Sequence, residues 1–196
     1  MVPIPAEVPD TAFLQSGDVP GTVKGLSRLS AGERPLPRFC GAPYEQAELL
    51  GVRATQRILF SSAGSPPEAT PKAAVYEDIL VFRAAGAQAF MTGLRDAVTA
   101  CSSQPDPVGV EVHNFLRGSV GAGDESVLVE QSRPATDEVG EALGDGTEQQ
   151  RFWAVTRVGD AVAVVTNEGW ECCSADQGDT VLLARRATQR LEAWRP

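Results

Sequence analysis

Apolar and polar residues alternate along several stretches of the chain, a pattern typical of strands that bury one face of a sheet. The clearest stretches are 152–158 and 161–166. They flank the pair Gly159-Asp160, whose backbone freedom suits a tight turn, so we predict a β-hairpin there. The same pattern predicts strands over the following ranges: 52–60, 74–82, 108–116 and 127–131. The first two of these are expected to pair antiparallel.

Two other stretches repeat apolar residues every three to four positions, the spacing of an amphipathic helix. One runs from Ala87 to Cys101 and is closed by Pro105; the other runs from about Asp179 to Trp194. An acid at the start of the second helix and arginines near its end suit the helix dipole. The pattern as a whole predicts an α+β fold, with a twisted, mainly antiparallel sheet of about six strands and two main helices packed on it.

The remaining segments are expected to be loops. Residues 1–9 contain three prolines and are predicted to be a flexible lead-in to a single domain over 10–196. A short helix is expected at 10–15, and the glycines and prolines of 20–45 predict an irregular loop. The interval 124–148 holds eight acids and one arginine, so we predict a solvated excursion there.

Composition narrows the class of protein. A hydrophobic share of 42% supports a real core, and a net charge of −9 argues against general binding to nucleic acid or anionic membranes. The chain has neither a membrane-spanning apolar run nor the basic and apolar regions of a signal peptide. This leaves a cytosolic protein, or an exported one whose signal or anchor is not part of this sequence. The scarcity of lysine, with many alanines, glycines and prolines, is typical of a GC-rich bacterium.

The four cysteines favour export. Their even number, without a zinc or redox motif, indicates an oxidised domain held by disulfides. Three pairings of Cys40, Cys101, Cys172 and Cys173 are possible. The adjacent Cys172 and Cys173 could form a strained vicinal disulfide, remain reduced, or bond to separate partners.

Several features together resemble a known family. In chain order they are Ala12-Phe13-Leu14-Gln15 through Asp18-Val19-Pro20-Gly21, Cys40 ahead of the first strand pair, the strand 75–82 running into the helix 84–101, and Arg157-Val158-Gly159-Asp160 before the closing helix. This pattern resembles the PknH-like extracellular domains, which are sensor modules of actinobacterial receptor kinases and of related secreted proteins and lipoproteins. The resemblance implies an α/β sandwich, a Cys40–Cys101 disulfide and a cleft for an extracellular ligand. The chain departs from the family in its adjacent Cys172-Cys173, and it has no kinase domain.

Catalytic and metal-binding motifs are weak. The single histidine, His113, lies in a predicted strand and is expected to be structural, and no Gly-x-Ser-x-Gly elbow accompanies it. A group of acids could supply calcium ligands but lacks the spacing of a calcium loop: Asp124, Glu125, Asp137, Glu138, Glu141 and Asp145. We therefore expect no metal, no cofactor and no enzymatic activity.

Aromatic residues are the remaining candidates for a binding site. Trp170, Trp153 and Tyr76 are the residues that we expect to face a cleft between the sheet and the loops at 20–45, 61–71 and 167–178. The resulting prediction is a non-enzymatic extracellular sensor or ligand-binding domain of a secreted protein or lipoprotein, located at the cell surface and binding an unknown small ligand. One alternative is a module that binds another cell-envelope protein. The other is a carboxylate-dependent hydrolase, which would need two acids facing each other across the cleft.

Overall fold

A computed structural model describes residues 4–30, 32–106, 109–136, 143–170 and 173–194. The described residues form eight strands and two α-helices, in this order: β1 (Gly21–Leu29), β2 (Leu50–Ser62), β3 (Ala73–Phe82), α1 (Gly86–Ala100), β4 (Ser103–Pro105), β5 (Glu111–Leu116), β6 (Glu125–Pro134), β7 (Glu148–Val158), β8 (Ala161–Asn167) and α2 (Gln177–Trp194). Two single turns of 3-10 helix, Asp10–Ala12 and Ser16–Asp18, precede the first strand.

All strands belong to one sheet, in the order β1-β2-β3-β8-β7-β6-β5-β4, and each neighbouring pair is antiparallel. Strands β1 to β3 form one meander, and β4 to β8 form a second meander that returns to the middle of the sheet. The two meanders meet where β8 pairs with β3. These two central strands, β3 and β8, are covered on both faces of the sheet, and for this reason every residue of β8 is buried. The predicted mainly antiparallel α+β architecture is confirmed.

Each helix covers one face of the sheet. On the α2 face, Ile79 of β3 packs in a cluster with Leu183 and with the buried Phe13 of the N-terminal segment. On the α1 face, the next residue of β3, Leu80, packs with Phe90 and with apolar residues of the loop between β1 and β2. Alternation along the strands thus divides the core into two layers.

The predicted strand count is wrong by two. The first missed strand is β1, which falls inside the predicted loop over 20–45. It is an edge strand that pairs only with β2, and all of its residues are half-buried or exposed, so its apolar pattern is weak. The second is β4, which has three residues and is too short to show an alternation of apolar and polar positions.

Two other predicted segments are also corrected. The acidic interval 124–148 is not one solvated loop, because 125–134 form β6 and β7 begins at Glu148. The helix expected at 10–15 is reduced to the single turn Asp10–Ala12. Of the predicted lead-in over 1–9, Val8 is buried in the core on the α2 face.

In the part of the chain that the structure describes, neither α-helix combines the length and the apolar character needed to cross a membrane.

Candidate functional site

A cleft of about 760 Å³ opens on the α1 face, beyond the area that α1 covers. Its walls are the loop before β2, the β4 segment, strands β5 to β7 and the end of β8. The described residues that line it are Arg34, Pro35, Leu36, Pro37, Arg38, Gln104, Pro105, Asp106, Val112, Gln131, Arg133, Arg151, Trp153 and Glu168. We call it the arginine cleft, because four of these residues are arginines and only two are acids.

The Cys40–Cys101 disulfide ties two walls of the arginine cleft together. Cys40 follows the loop that carries Arg38, and Cys101 lies just before β4, at a Cα–Cα distance of 5.6 Å. Beside the disulfide, the Gln104 side chain donates to the Arg38 carbonyl (2.7 Å) and accepts from the Cys40 amide (2.5 Å). The disulfide pairing that the family resemblance implied is therefore confirmed, and it fixes the loop against β4.

Two of the four arginines are neutralised by the two acids of the cleft. Arg34 bonds to Glu168, with 2.5 Å between Nη2 and Oε1, and this contact joins the loop to the end of β8. Arg133 bonds to Asp106 across the cleft, with 3.3 Å between Nη1 and Oδ2, and also donates twice to the Gln149 side chain. These pairs hold the walls but supply little net charge.

Arg151 differs from these two arginines. It lies half-buried on β7, and none of the ion pairs among described residues includes it. Its buried Nε has no hydrogen-bond partner among the described residues. Burial lowers the pKa of Arg151, and the Glu168 carboxylate acts in the opposite direction. The guanidinium is thus a desolvated cation whose hydrogen-bonding capacity is partly unused.

Trp153 stands two residues further along β7, on the same face of the strand as Arg151. It is only 6% exposed, and its ring makes an edge contact with Phe39 at 6.0 Å between centroids. Its buried Nε1 also lacks a hydrogen-bond partner among the described residues. Two residues that line one wall of the cleft, Arg151 and Trp153, therefore each have a buried N–H group without a partner among the described residues.

The three aromatic candidates from the sequence are not brought together. Trp153 lines the cleft. Tyr76 lies behind it and carries the Arg34 guanidinium on its ring, with Cζ 3.5 Å from the centroid. Trp170 is half-buried and is not among the described residues that line the cleft. Of the three loops expected around the cleft, 20–45 contributes the segment 34–38 and 167–178 contributes Glu168, whereas no described residue of 61–71 lines it.

The other candidates lie elsewhere. Cys173 is exposed, and Cys172 is outside the described residues, so the structure leaves the alternatives for this pair as they were. His113 is half-buried on β5, opposite Ser103 and Ser132 in the sheet.

No group of three metal-ligating side chains occurs within the described ranges. Among the six acids weighed as calcium ligands, Asp137, Glu138 and Glu141 fall outside those ranges. Glu125 is engaged by Arg95 and Arg157, whose hydrogen bonds lower the pKa of its carboxyl against the opposing effect of burial.

Two buried carboxyls on β3 face opposite sides of the sheet. Asp78 faces the α1 side and accepts from Arg53 (2.7 and 3.0 Å) and from the Thr55 hydroxyl (2.6 Å). Arg53 in turn donates to the Arg34 carbonyl at 2.7 Å, which supports the rim of the arginine cleft. Glu77 faces the α2 side, away from the cleft, and burial raises its pKa to about 8.

The arginines are candidate site residues that the sequence analysis did not identify. One signal was available: Arg151 and Trp153 occupy alternate positions of a predicted strand, so they had to share a face. Arg133 was also visible as the single basic residue of the acidic interval. The position of residues 34–38 beside these strands has no local signal in the sequence, and only the Cys40–Cys101 disulfide that the family resemblance implied pointed to it.

Comparison with solved structures gives a similarity at the level of the fold. No protein-family model matches the sequence, and no curated protein sequence matches it. The fold is similar to the crystal structure of the extracellular domain of PknH from Mycobacterium tuberculosis, with a TM-score of 0.48 and 14% sequence identity. The match covers 71% of this chain and 64% of that one, so this chain spans less than two thirds of the protein it resembles.

Proposed function

We propose that this chain is a non-enzymatic ligand-binding or sensor domain of a secreted protein or lipoprotein, and that the arginine cleft is its ligand site. The observation that carries this proposal is a pair of cleft-lining residues, Arg151 and Trp153, whose buried Nε and Nε1 groups have no hydrogen-bond partner among the described residues. Buried polar groups in folded proteins are nearly always hydrogen-bonded, so exceptions that line a cleft point to a ligand. The cleft volume also lies within the range of small-molecule sites.

The Cys40–Cys101 disulfide supports the extracellular part of the proposal. Disulfides persist in oxidising compartments and are rare in the cytosol, where thiols are kept reduced. This disulfide is structural, because it joins two segments 61 residues apart and fixes the cleft walls. The proposal includes attachment to the cell surface through a lipid anchor, which would keep the cleft in contact with the surrounding medium.

The shape and contacts of the cleft favour this function over its alternatives. A module that binds a large protein partner would present a flat surface, whereas this site is concave. A carboxylate hydrolase would need an acid free to exchange protons with a substrate. The two acids of the cleft, Asp106 and Glu168, are bonded to Arg133 and Arg34, and Glu77, whose pKa is raised, lies on the opposite face of the sheet.

Tryptophan side-chain NMR tests the proposal directly. The uniformly 15N-labelled protein would be screened with a library of neutral, cationic and anionic small molecules while the indole N–H signals are followed. We expect compounds that bind the cleft to shift the Trp153 signal, which Trp153→Phe identifies by its disappearance. The Trp194 signal is the internal control, because that residue packs against the core on the α2 face. A library in which no compound shifts Trp153 at millimolar concentration would contradict the proposal.

A further inference from the structure

The charge balance of the arginine cleft indicates the kind of ligand that it suits. Its described lining residues carry an excess of two positive charges, four arginines against two acids, in a chain whose overall net charge is −9. The ion pairs Arg34–Glu168 and Arg133–Asp106 cancel within the cleft. The excess therefore comes from Arg38, which is exposed at the rim, and from Arg151, which is half-buried on the wall.

Among the residues of the cleft, Arg151 most restricts the kind of ligand that can bind. A guanidinium that is half-buried without an ion-pair partner among the described residues is unfavourable, and a partner that only accepts hydrogen bonds recovers part of that loss. An oxyanion recovers more, because a guanidinium fork matches the oxygens of a carboxylate or a phosphate in both charge and geometry. The Trp153 indole is a donor only, so it also requires an acceptor.

The remaining surface of the cleft is largely apolar. Pro35, Leu36 and Pro37 form one wall, and Pro105 and Val112 form part of the other. Proline walls are rigid, so they offer an apolar contact surface that loses little entropy on binding. A simple inorganic ion would leave this surface in water.

Building on the proposed function, we propose that the ligand is a small organic anion. Its carboxylate or phosphate oxygens accept hydrogen bonds from Arg151 and Trp153, and its apolar body packs between the proline walls. The charge at Arg151 selects anions over neutral molecules of the same shape, and the indole N–H of Trp153 orients the bound oxygen.

Small molecules of similar shape and different charge show how much the charge of the ligand contributes to binding. Benzoate, phenyl phosphate, benzamide and benzylamine would each be titrated into the labelled protein while the Trp153 indole signal is followed. We expect benzoate or phenyl phosphate to bind about tenfold more tightly than the nearly isosteric neutral benzamide, with the difference shrinking at high salt. Whichever anion binds more tightly identifies the oxyanion that the cleft prefers.

Variants then assign the selectivity to Arg151. Arg151→Gln is expected to remove the preference for benzoate over benzamide, whereas Arg83→Gln, at an exposed arginine that is not among the lining residues, should retain it. Arg151→Lys keeps the charge without the fork, and an intermediate preference is expected even if Arg151→Gln fails to fold. Trp153→Phe lacks the indole signal, so its binding is measured by isothermal titration calorimetry, and the variant should bind benzoate and benzamide more weakly by similar factors.

The outcomes separate this inference from the proposed function. If benzoate and benzamide bind at Trp153 with equal affinity, the proposal that the ligand is an anion is wrong, while the proposal of a ligand-binding cleft still stands. Anion selectivity that persists in Arg151→Gln would overturn the role of Arg151. If the protein pellets with phosphatidylglycerol vesicles but does not bind soluble phenyl phosphate, the proposal that the ligand is a small soluble anion is wrong. A cleft that responds to none of the four probes, nor to the wider library, would contradict both proposals.

Discussion

Cys40 and Cys101 are bonded across the rim of the arginine cleft, 61 residues apart in sequence and 5.6 Å apart at their Cα atoms. The bond holds the arginine-bearing loop next to β4, so one covalent link contributes both to folding and to the geometry of the candidate site. Oxidation state and ligand binding are therefore expected to be coupled in this protein.

Removing this disulfide should lower stability and loosen the cleft together. The double variant Cys40→Ala/Cys101→Ala is expected to lose about 4 kcal/mol of unfolding free energy, because the open chain regains the entropy of a long loop. Denaturant unfolding measures this change. Reduction of the unmodified protein should reproduce it, and reduction of the double variant should add little. An unchanged denaturation midpoint would show that the cross-link does not stabilise the folded state.

Glu77 should make stability depend on pH. Burial raises its pKa from 4.5 to about 8, and the Leu14 amide that donates to Oε2 at 2.8 Å offsets only part of this rise. Between these two pH values the unfolded carboxyl is ionised while the folded one keeps its proton. The contribution of Glu77 to the free energy of unfolding is therefore greatest below pH 4.5. It decreases as the pH rises and is lost above about pH 8.

The variant Glu77→Gln isolates this effect. A neutral amide can still accept from the Leu14 amide, so the variant is expected to lack the decline, which amounts to about 1.4 kcal/mol for each pKa unit between the two states. Relative to the unmodified protein, it should gain stability between pH 5 and pH 9 in thermal unfolding. Glu192→Gln, at an exposed position of α2, is the control and should leave the profile unchanged. Parallel pH profiles for Glu77→Gln and the unmodified protein would contradict the prediction.

The buried Asp78–Arg53 pair should be costly to break from one side. Asp78→Ala leaves the Arg53 guanidinium and the Thr55 hydroxyl without their shared acceptor, and about 3 kcal/mol of stability should be lost. Because Arg53 also supports the Arg34 carbonyl, benzoate binding should weaken too. Asp96→Ala, on the exposed side of α1, should change stability by less than about 0.5 kcal/mol. Equal effects of the two variants would exclude a structural role for the pair.

Gly21 is expected to tolerate no side chain. It begins β1 where the strand approaches β2, and a Cβ atom there would overlap the carbonyl oxygen of Ser61. Gly21→Ala should therefore separate the ends of these strands and cost about 1–3 kcal/mol, as other overpacked sites do. Gly17→Ala is the matched control, because nothing lies within 4 Å of a Cβ atom at that position. A loss of stability from Gly17→Ala as large as that from Gly21→Ala would show that backbone entropy, and not the contact, decides the result.

The sequence by itself determined the central part of the fold. Alternation fixes which face each residue of a strand occupies, so the hairpin of β7 and β8 and the pairing of β2 with β3 could be predicted and are confirmed. The two α-helices could also be predicted from the sequence, because each must bury an apolar stripe against the sheet. The edge strand β1 was not predictable, since a strand paired on one side is held by backbone hydrogen bonds that leave little trace in side-chain pattern.

Only the tertiary structure decided the candidate site. Arg34 comes from a loop far from Arg133 and Arg151 in sequence, and the sequence neighbours of these arginines do not show which of them will meet an acid. That outcome depends on the order of strands in the sheet and on the disulfide that draws the loop over it. Local pattern specifies the elements because it acts between neighbours in the chain. The charge balance of the cleft depends on distances between segments that are far apart in sequence.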